Sequence, residues 1–120
     1  MKNFRKLKIW ENGLSLTKDV YMFAKQLPDF EKFGLVSQMT RSAVSIPSNI
    51  AEGCSRNSDN ELSRFIEIAL GSSFELETQL LIAEDIYDLN VRDLLDELTQ
   101  EQKMLNSYHT KLRNNPNTNY

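Results

Sequence analysis

At 120 residues, with 40% hydrophobic and 26% charged side chains, the chain has the size and composition of one globular domain and not of a disordered segment. Its single cysteine, Cys54, excludes an internal disulfide and a cysteine-based metal cage, and no run approaches the ~18 apolar residues that a membrane span requires. The basic start is not followed by a long apolar run, so we expect no signal peptide and a cytoplasmic protein.

Charge is distributed unevenly along the chain. Residues 58–101 contain twelve Asp and Glu against two Arg, so the remainder carries a net charge of +7 within a total of −3. Such a division is typical of a protein that binds a polyanion, or that docks its basic part on the acidic face of another copy. The alternative is that most of these charges only solvate helix faces.

The first predicted helix covers 9–27 and follows a short basic arm at residues 1–8. It carries two apolar stripes at helical spacing, whereas a helix in a monomeric bundle needs only one. The second stripe therefore predicts either a wide buried face or a subunit interface. The first stripe comprises Trp10, Leu14, Thr17, Tyr21 and Ala24, and the second comprises Leu16, Val20, Phe23 and Leu27.

The second predicted helix covers 35–53 and carries an apolar stripe beside a polar one. Pro47 removes one backbone donor and predicts a bend without a break, because the apolar spacing continues on both sides. Gly53 is expected to end the helix in a left-handed conformation. The polar stripe either lines a binding groove or hydrogen-bonds other helices and fixes their register. Its members are Gln38, Arg41, Ser45, Asn49 and Glu52.

The third predicted helix covers 59–88 and has the clearest start signal in the chain. Ser58 and Glu61 have the spacing of a capping box, in which serine caps the helix and glutamate reaches back. A long apolar stripe can face the core, and Phe74 and Leu81 add apolar surface beside it. This surplus again predicts a contact with another subunit.

The fourth predicted helix covers 91–112, and its apolar stripe is interrupted at Glu101. Residues 114–120 have no apolar pattern, so we expect a flexible tail after a single domain over 1–113. Four helices joined by short turns favour an all-α, antiparallel up-down-up-down four-helix bundle.

The chain lacks the residue sets that catalysis or metal binding would require. A di-metal site in a helical bundle needs two Glu-x-x-His pairs, whereas this chain has one histidine, His109, with Asn106 three residues before it. Cys54 follows a helix C-terminus, where the helix dipole disfavours a thiolate, and is expected to be inert. We therefore predict a protein that is not an enzyme, holds no cofactor or metal, and has no small-molecule substrate.

A longer motif, FGL-x-x-Q-x-x-R-x-A-x-SIP-x-NIAEG, contains the polar stripe and covers residues 33–53. With Phe4, Leu7 and Trp10 before it and the run ELET after it, the motif resembles the four-helix-bundle proteins encoded in intervening sequences of bacterial large-subunit rRNA genes. The resemblance extends over about 4–112. It implies an up-down four-helix bundle assembled as a barrel-shaped homopentamer. Relatives include the accessory variability proteins of diversity-generating retroelements, which resemble basic pentamers that engage a reverse transcriptase and its RNA.

Two functional hypotheses follow. The first is a non-enzymatic, homopentameric module linked to RNA or to an RNA-associated protein such as a reverse transcriptase. The second is a protein-interaction scaffold that docks a basic partner on its acidic third and fourth helices. The predicted nucleic-acid contacts are Lys2, Arg5, Lys6, Lys8, Arg41 and Arg56, which would neutralise phosphates. The predicted subunit interface comprises Leu16, Val20, Phe23, Leu27, Phe74 and Leu81.

Overall fold

A computed structural model describes residues 1–114 and consists of four α-helices joined by short connections. Two single-turn 3-10 helices, Phe4–Lys6 and Asp29–Glu31, precede the first and second α-helices. No strand occurs within residues 1–114. The helices are α1 (Lys8–Ala24), α2 (Leu35–Cys54), α3 (Asp59–Tyr87) and α4 (Arg92–Arg113).

The four helices form an antiparallel ring. Each helix packs against its neighbours in sequence, and α4 returns to pack against α1. Within residues 1–114, the backbones of helices on opposite corners do not approach each other closely. The molecule measures 48 × 21 × 19 Å, so its length matches α3, whose 29 residues at about 1.5 Å each span its long axis. The predicted up-down-up-down four-helix bundle is confirmed.

The core consists of one apolar stripe from each helix. Met39, Ile46 and Ile50 of α2 are fully buried, as are Leu76 and Leu80 of α3. Burying such side chains contributes roughly 1.5–3 kcal/mol each relative to leaving them exposed. The periodic apolar positions of the sequence therefore correspond to the interior of this bundle.

The prediction of a subunit interface on α1 is wrong for four residues. They are buried inside the single chain, because this stripe faces α2 and α4 and forms the α1 share of the core. The stripe that begins at Trp10 is the more exposed one, and its Tyr21 is 51% exposed. The four buried residues are Leu16, Val20, Phe23 and Leu27.

The start of α3 is capped as predicted on one side. The Ser58 hydroxyl oxygen accepts a hydrogen bond from the Glu61 backbone N–H at 3.2 Å. The Glu61 carboxylate, however, accepts from the Ser58 hydroxyl at 3.2 Å, where a full capping box would use the Ser58 backbone N–H. The Ser58 hydroxyl thus bonds both the backbone N–H and the carboxylate of Glu61.

Gly53 does not end α2 in the left-handed conformation predicted for it. The helix continues to Cys54, and no glycine within residues 1–114 has a positive φ. A Cβ on Gly53 would lie 2.7 Å from Leu62 Cδ1 and 2.7 Å from Phe65 Cβ, which is far closer than carbon atoms pack. The glycine is therefore required for the close approach of α2 and α3.

Helix α2 runs through Pro47 without interruption. Proline lacks the N–H that would bond the carbonyl of Ala43, four residues earlier. The hydroxyl of Thr17, on α1, lies 3.1 Å from the Ala43 carbonyl oxygen and 2.7 Å from the Gly13 carbonyl oxygen. Its single proton is shared between these two acceptors, so a side chain of α1 replaces the donor that α2 lacks.

The predicted tail at 114–120 falls mostly outside the described part of the chain, which ends at residue 114. Asn114 caps α4. No helix within residues 1–114 has the length and apolar character needed to cross a bilayer.

Candidate functional site

The bundle separates positive from negative charge along its long axis. We call the half that contains the chain's start the basic end (residues 1–16, 45–73 and 103–114) and the other half the acidic end (17–44 and 74–102). The basic end carries nine Lys and Arg against five Asp and Glu, and the acidic end carries five against twelve. The antiparallel topology produces this division, because it brings the start of α1 and the end of α4 to the same place.

The N-terminal arm is fixed onto the basic end. The Lys2 backbone N–H donates to the Cys54 carbonyl at 3.0 Å, and Asn3 Oδ1 accepts from the Arg5 backbone N–H at 3.2 Å. The ring of Phe4 packs edge-on against Trp10 with 5.1 Å between centroids. The arm is therefore an ordered part of the bundle surface, from which exposed basic side chains project.

The six predicted nucleic-acid contacts are not all brought together. Lys2, Arg5, Lys6, Lys8 and Arg56 lie at the basic end, where Lys6 and Lys8 are exposed. Arg41 stands thirteen residues before the end of α2, about 20 Å away along the helix axis. It belongs to the acidic half of the molecule.

Several cations of the basic end already have acidic partners. Lys2 Nζ lies 3.6 Å from Asp59 Oδ1, and Arg56 Nη2 lies 3.1 Å from Glu52 Oε2. These pairs reduce the positive charge that the two side chains present to a partner. The Arg56 guanidinium also stacks on the Phe65 ring at 4.8 Å from its centroid, which holds it against α3.

The fold adds further cations to this end that were not among the six predicted contacts. Arg64 of α3 and Lys111 and Arg113 of α4 are exposed there. Arg113 Nη1 lies 3.7 Å from Glu67 Oε1, and His109 Nε2 lies 2.8 Å from the same oxygen. The signal that would have found them is topology, because an up-down bundle must return its last helix to the level of its first residues.

The polar stripe of α2 lies along α3 and makes hydrogen bonds inside the protomer. Ser45 Oγ and Ser72 Oγ are 2.8 Å apart across the two helices, and Asn49 Nδ2 donates to the Ser45 hydroxyl and carbonyl oxygens at 2.8 Å each. Glu52 continues the stripe in its ion pair with Arg56. Of these bonds, the one between Ser45 and Ser72 joins α2 to α3, whereas the Asn49 bonds and the Glu52–Arg56 pair join residues four apart in sequence.

The upper part of the same stripe borders a shallow cleft. Gln38 and Arg41 line it from α2, opposite Glu75 and Gln79 of α3. The Gln79 side-chain oxygen is buried and has no hydrogen-bond partner within residues 1–114. This cleft is a polar groove between helices, open to solvent.

Phe74 and Leu81 remain on the surface, unlike the four α1 residues of the predicted interface. They are 54% and 42% exposed, and their seven-residue spacing places them on one face of α3. Both lie on the outer side of the bundle, where no helix within residues 1–114 covers them.

An ionisable group is buried where the sequence predicted only an interruption of an apolar stripe. Glu101 is 1% exposed, and neither of its carboxyl oxygens has a hydrogen-bond partner within the described residues. Burial raises the pKa of Glu101 to about 8, because a desolvated carboxylate is unfavourable. At neutral pH this side chain is therefore mostly protonated.

The remaining reactive side chains do not form a site. Cys54 is buried, and burial raises the pKa of its thiol, which keeps it protonated. His109 bonds Glu67 on α3. Within residues 1–114, no three His, Cys, Asp or Glu side chains group together as metal ligands.

Comparison with known proteins identifies the family. Residues 5–107 match the family model described as 23S rRNA-intervening sequence protein. A crystal structure of a protein with unknown function from the S23 ribosomal protein family of Bacteroides thetaiotaomicron VPI-5482 has the same fold, with a TM-score of 0.63 at 20% sequence identity. The alignment covers 92% of this chain and 99% of that one. No curated protein sequence matches the chain. Because the family model covers most of its length, the chain belongs to the 23S rRNA-intervening sequence protein family.

Proposed function

We propose that this protein is a homopentameric accessory module, without catalytic activity, that binds RNA phosphates through its basic end. The supporting observation is the gathering of nine Lys and Arg at one end of the bundle, while the acids concentrate at the other end. Cations presented together release counterions from a phosphate backbone, whereas the same cations spread over a surface contribute little. An RNA or an RNA-associated protein such as a reverse transcriptase is the partner class that this function implies.

Oligomerisation would convert a modest basic patch into a useful one. If protomers stand parallel in a ring, their basic ends form one continuous rim, and five weak contacts act together. Phe74 and Leu81 supply exposed apolar surface for the subunit contact on α3. The acidic ends would lie on the opposite rim and keep the RNA on one side.

The first prediction concerns the assembly. Light scattering after gel filtration is expected to give about 70 kDa, five times the 13.9 kDa of one chain. A Phe74→Glu, Leu81→Glu double variant should elute as a smaller species while its helical circular dichroism stays unchanged, because a charge on each residue opposes burial at an interface. A monomeric wild type, or a double variant with the wild-type mass, would contradict this assembly.

The second prediction concerns RNA. A fluorescent RNA hairpin should bind at about 50 mM salt, and binding should weaken steeply as salt is raised. The variant Lys6→Ala, Lys8→Ala, Lys111→Ala removes three exposed cations of the basic end. It should lower the affinity at least tenfold and flatten the dependence of log K on log salt by roughly two units, measured by fluorescence anisotropy.

The matched control removes the same charge from the other end of the bundle. Lys25→Ala, Lys32→Ala, Arg92→Ala changes three exposed cations at the acidic end and should bind the hairpin nearly as the wild type does. Equal losses in the two triple variants would show that only total charge matters, and no binding at low salt would refute the RNA function.

The alternative function is a scaffold that docks a basic protein on the acidic end. The observation that favours it is the excess of twelve acids over five cations in that half. Under this alternative, a basic partner would stay bound after nuclease treatment and dissociate in high salt. The triple variant of the basic end would then leave binding unchanged.

A further inference from the structure

Two glutamates of α4, one turn apart, face α1 across the contact that closes the ring. Glu101 is buried against Gly13, and Glu97 is partly buried beside Asp19. Among the α-helices of residues 1–114, this α1–α4 contact is the least extensive of the four and the only one between helices not adjacent in sequence. Its strength therefore depends on side chains and not on a short connecting loop.

The surroundings of Glu101 offer no compensation for a negative charge. Gly13 of α1 lies against its carboxyl group, with a Cβ at that position only 3.3 Å from Glu101 Oε2, and Pro47 of α2 packs 3.3 Å from the same point. Neither residue is titratable, and no charged group from any neighbouring helix contributes to the shift in the Glu101 pKa, which burial alone causes. On the α3 side, Gln102, which is the next residue of α4, donates to Glu77.

Glu97 also has a raised pKa, of about 7. The causes, in decreasing order, are burial, a hydrogen bond to the Asp19 carboxyl of α1, and the charges of Asp19 and Asp93. Two carboxyl groups can hydrogen-bond only if one of them carries a proton. The contact between Glu97 and Asp19 is therefore also lost when that proton leaves.

We propose that the α1–α4 contact is a proton-dependent closure of the bundle: it is closed while Glu97 and Glu101 hold their protons and opens when both ionise. In the open form, a buried carboxylate at Glu101 and two facing carboxylates at Glu97 and Asp19 push α4 away from α1. The other three helix contacts persist, because a short connection joins each pair of helices and because Gln102 and His109 of α4 also bond Glu77 and Glu67 of α3.

The sign of the effect follows from proton binding. Each glutamate has a folded-state pKa above its ordinary value of 4.5, so the closed form binds protons that the open form releases. The contribution of each glutamate to closure is fully present below its ordinary pKa of 4.5. It is lost as pH rises through about 7 for Glu97 and about 8 for Glu101, by at most about tenfold in the closed-to-open ratio per pH unit for each group.

Amide hydrogen exchange at pH 6 and pH 8.5, corrected for the intrinsic exchange rate, tests this proposal on the full chain. We expect protection in the facing parts of α1 and α4 to fall at least tenfold at the higher pH, with much smaller changes along the α2–α3 contact. Unchanged protection would overturn the proposal. An equal loss in all four helices would also overturn it, since that result means global unfolding.

Three variants test whether the pH response comes from Glu97 and Glu101 or from the titration of acidic residues in general. Glu97→Gln keeps a donor for Asp19 without the titrating proton, and Glu101→Leu removes the buried acid. Each variant should therefore lose less protection between pH 6 and pH 8.5 than the wild type loses, because one of the two titrating groups is gone. Glu84→Gln alters an exposed glutamate of α3 and should behave as the wild type. If Glu101→Leu does not fold, the wild type and Glu97→Gln still decide, because a Glu97→Gln variant with the full wild-type pH response contradicts the proposal.

Discussion

Gly53→Ala is expected to lower the free energy of unfolding by up to about 2 kcal/mol. The added Cβ would lie 2.7 Å from Leu62 Cδ1 and Phe65 Cβ. Leu62 can rotate its methyl group away, but the Phe65 Cβ is fixed to the α3 backbone, so the helices must separate. Overpacking of this kind costs about 1–3 kcal/mol, and the better helix propensity of alanine offsets only about 1 kcal/mol of it.

Gly71→Ala is the matched control, because it makes the same chemical change at a different place. Gly71 lies in the middle of α3, is exposed, and has no atom within 4 Å of the position of a Cβ. Alanine there should stabilise the protein by about 0.5–1 kcal/mol through helix propensity alone. Urea unfolding followed by circular dichroism measures both variants. Two variants of the same sign would contradict the close approach of α2 and α3 at Gly53.

Gly53 also illustrates which parts of this fold the sequence could predict. Apolar spacing located all four helices to within a few residues, because burial of a periodic stripe is a property of one segment by itself. The Ser58 cap was likewise predictable, since its hydrogen bond joins residues three apart. A glycine near a helix end, however, can be either a cap or a crossing point, and only the position of α3 distinguishes the two.

The burial of Glu101 and the orientation of α1 likewise depend on other helices and could not be predicted from one segment alone. A glutamate inside an apolar stripe indicates either a break in the stripe or a buried acid, and the choice depends on Gly13 from another helix. The two stripes of α1 were visible, but which one faces the core depends on the rotation of the helix about its axis. Leu16 and Val20 face inward, whereas Tyr21 remains half exposed.

The candidate site was predicted in composition but not in arrangement. The sequence showed an acidic block over 58–101, yet the structure places the start of that block, with Asp59 and Glu67, at the basic end. Because the chain folds back on itself, the charge at each end of the bundle is the sum over segments that are far apart in sequence. This arrangement separates Arg41 from the arm and brings Arg64 of α3 to the same end of the bundle as Lys111.

Thr17→Val is expected to lower the free energy of unfolding by about 1–3 kcal/mol. Valine has nearly the shape of threonine, so the change removes the hydroxyl donor and little else. The Ala43 carbonyl, which cannot receive an N–H from Pro47, would lose the donor that lies 3.1 Å away and remain partly buried without a partner. The loss should appear as a lower urea midpoint with an unchanged slope.

Thr78→Val provides the control, since the Thr78 hydroxyl donates at 2.9 Å to the Phe74 carbonyl within the same helix on an exposed surface. That carbonyl keeps its helical hydrogen bond, so the change should stay within about 0.5 kcal/mol of the wild type.

A double-mutant cycle with Pro47→Ala then identifies the role of the Thr17 hydroxyl. Alanine at position 47 restores a backbone N–H for the Ala43 carbonyl, so Thr17→Val should cost about 1 kcal/mol less in that background than in the wild type. The loss of the proline ring enters both arms of the cycle, so the difference between the arms reports the coupling between positions 17 and 47. If the cost of Thr17→Val were the same with proline and with alanine, the hydroxyl would not be replacing the missing donor, and its contribution would come from the Gly13 carbonyl or from packing alone.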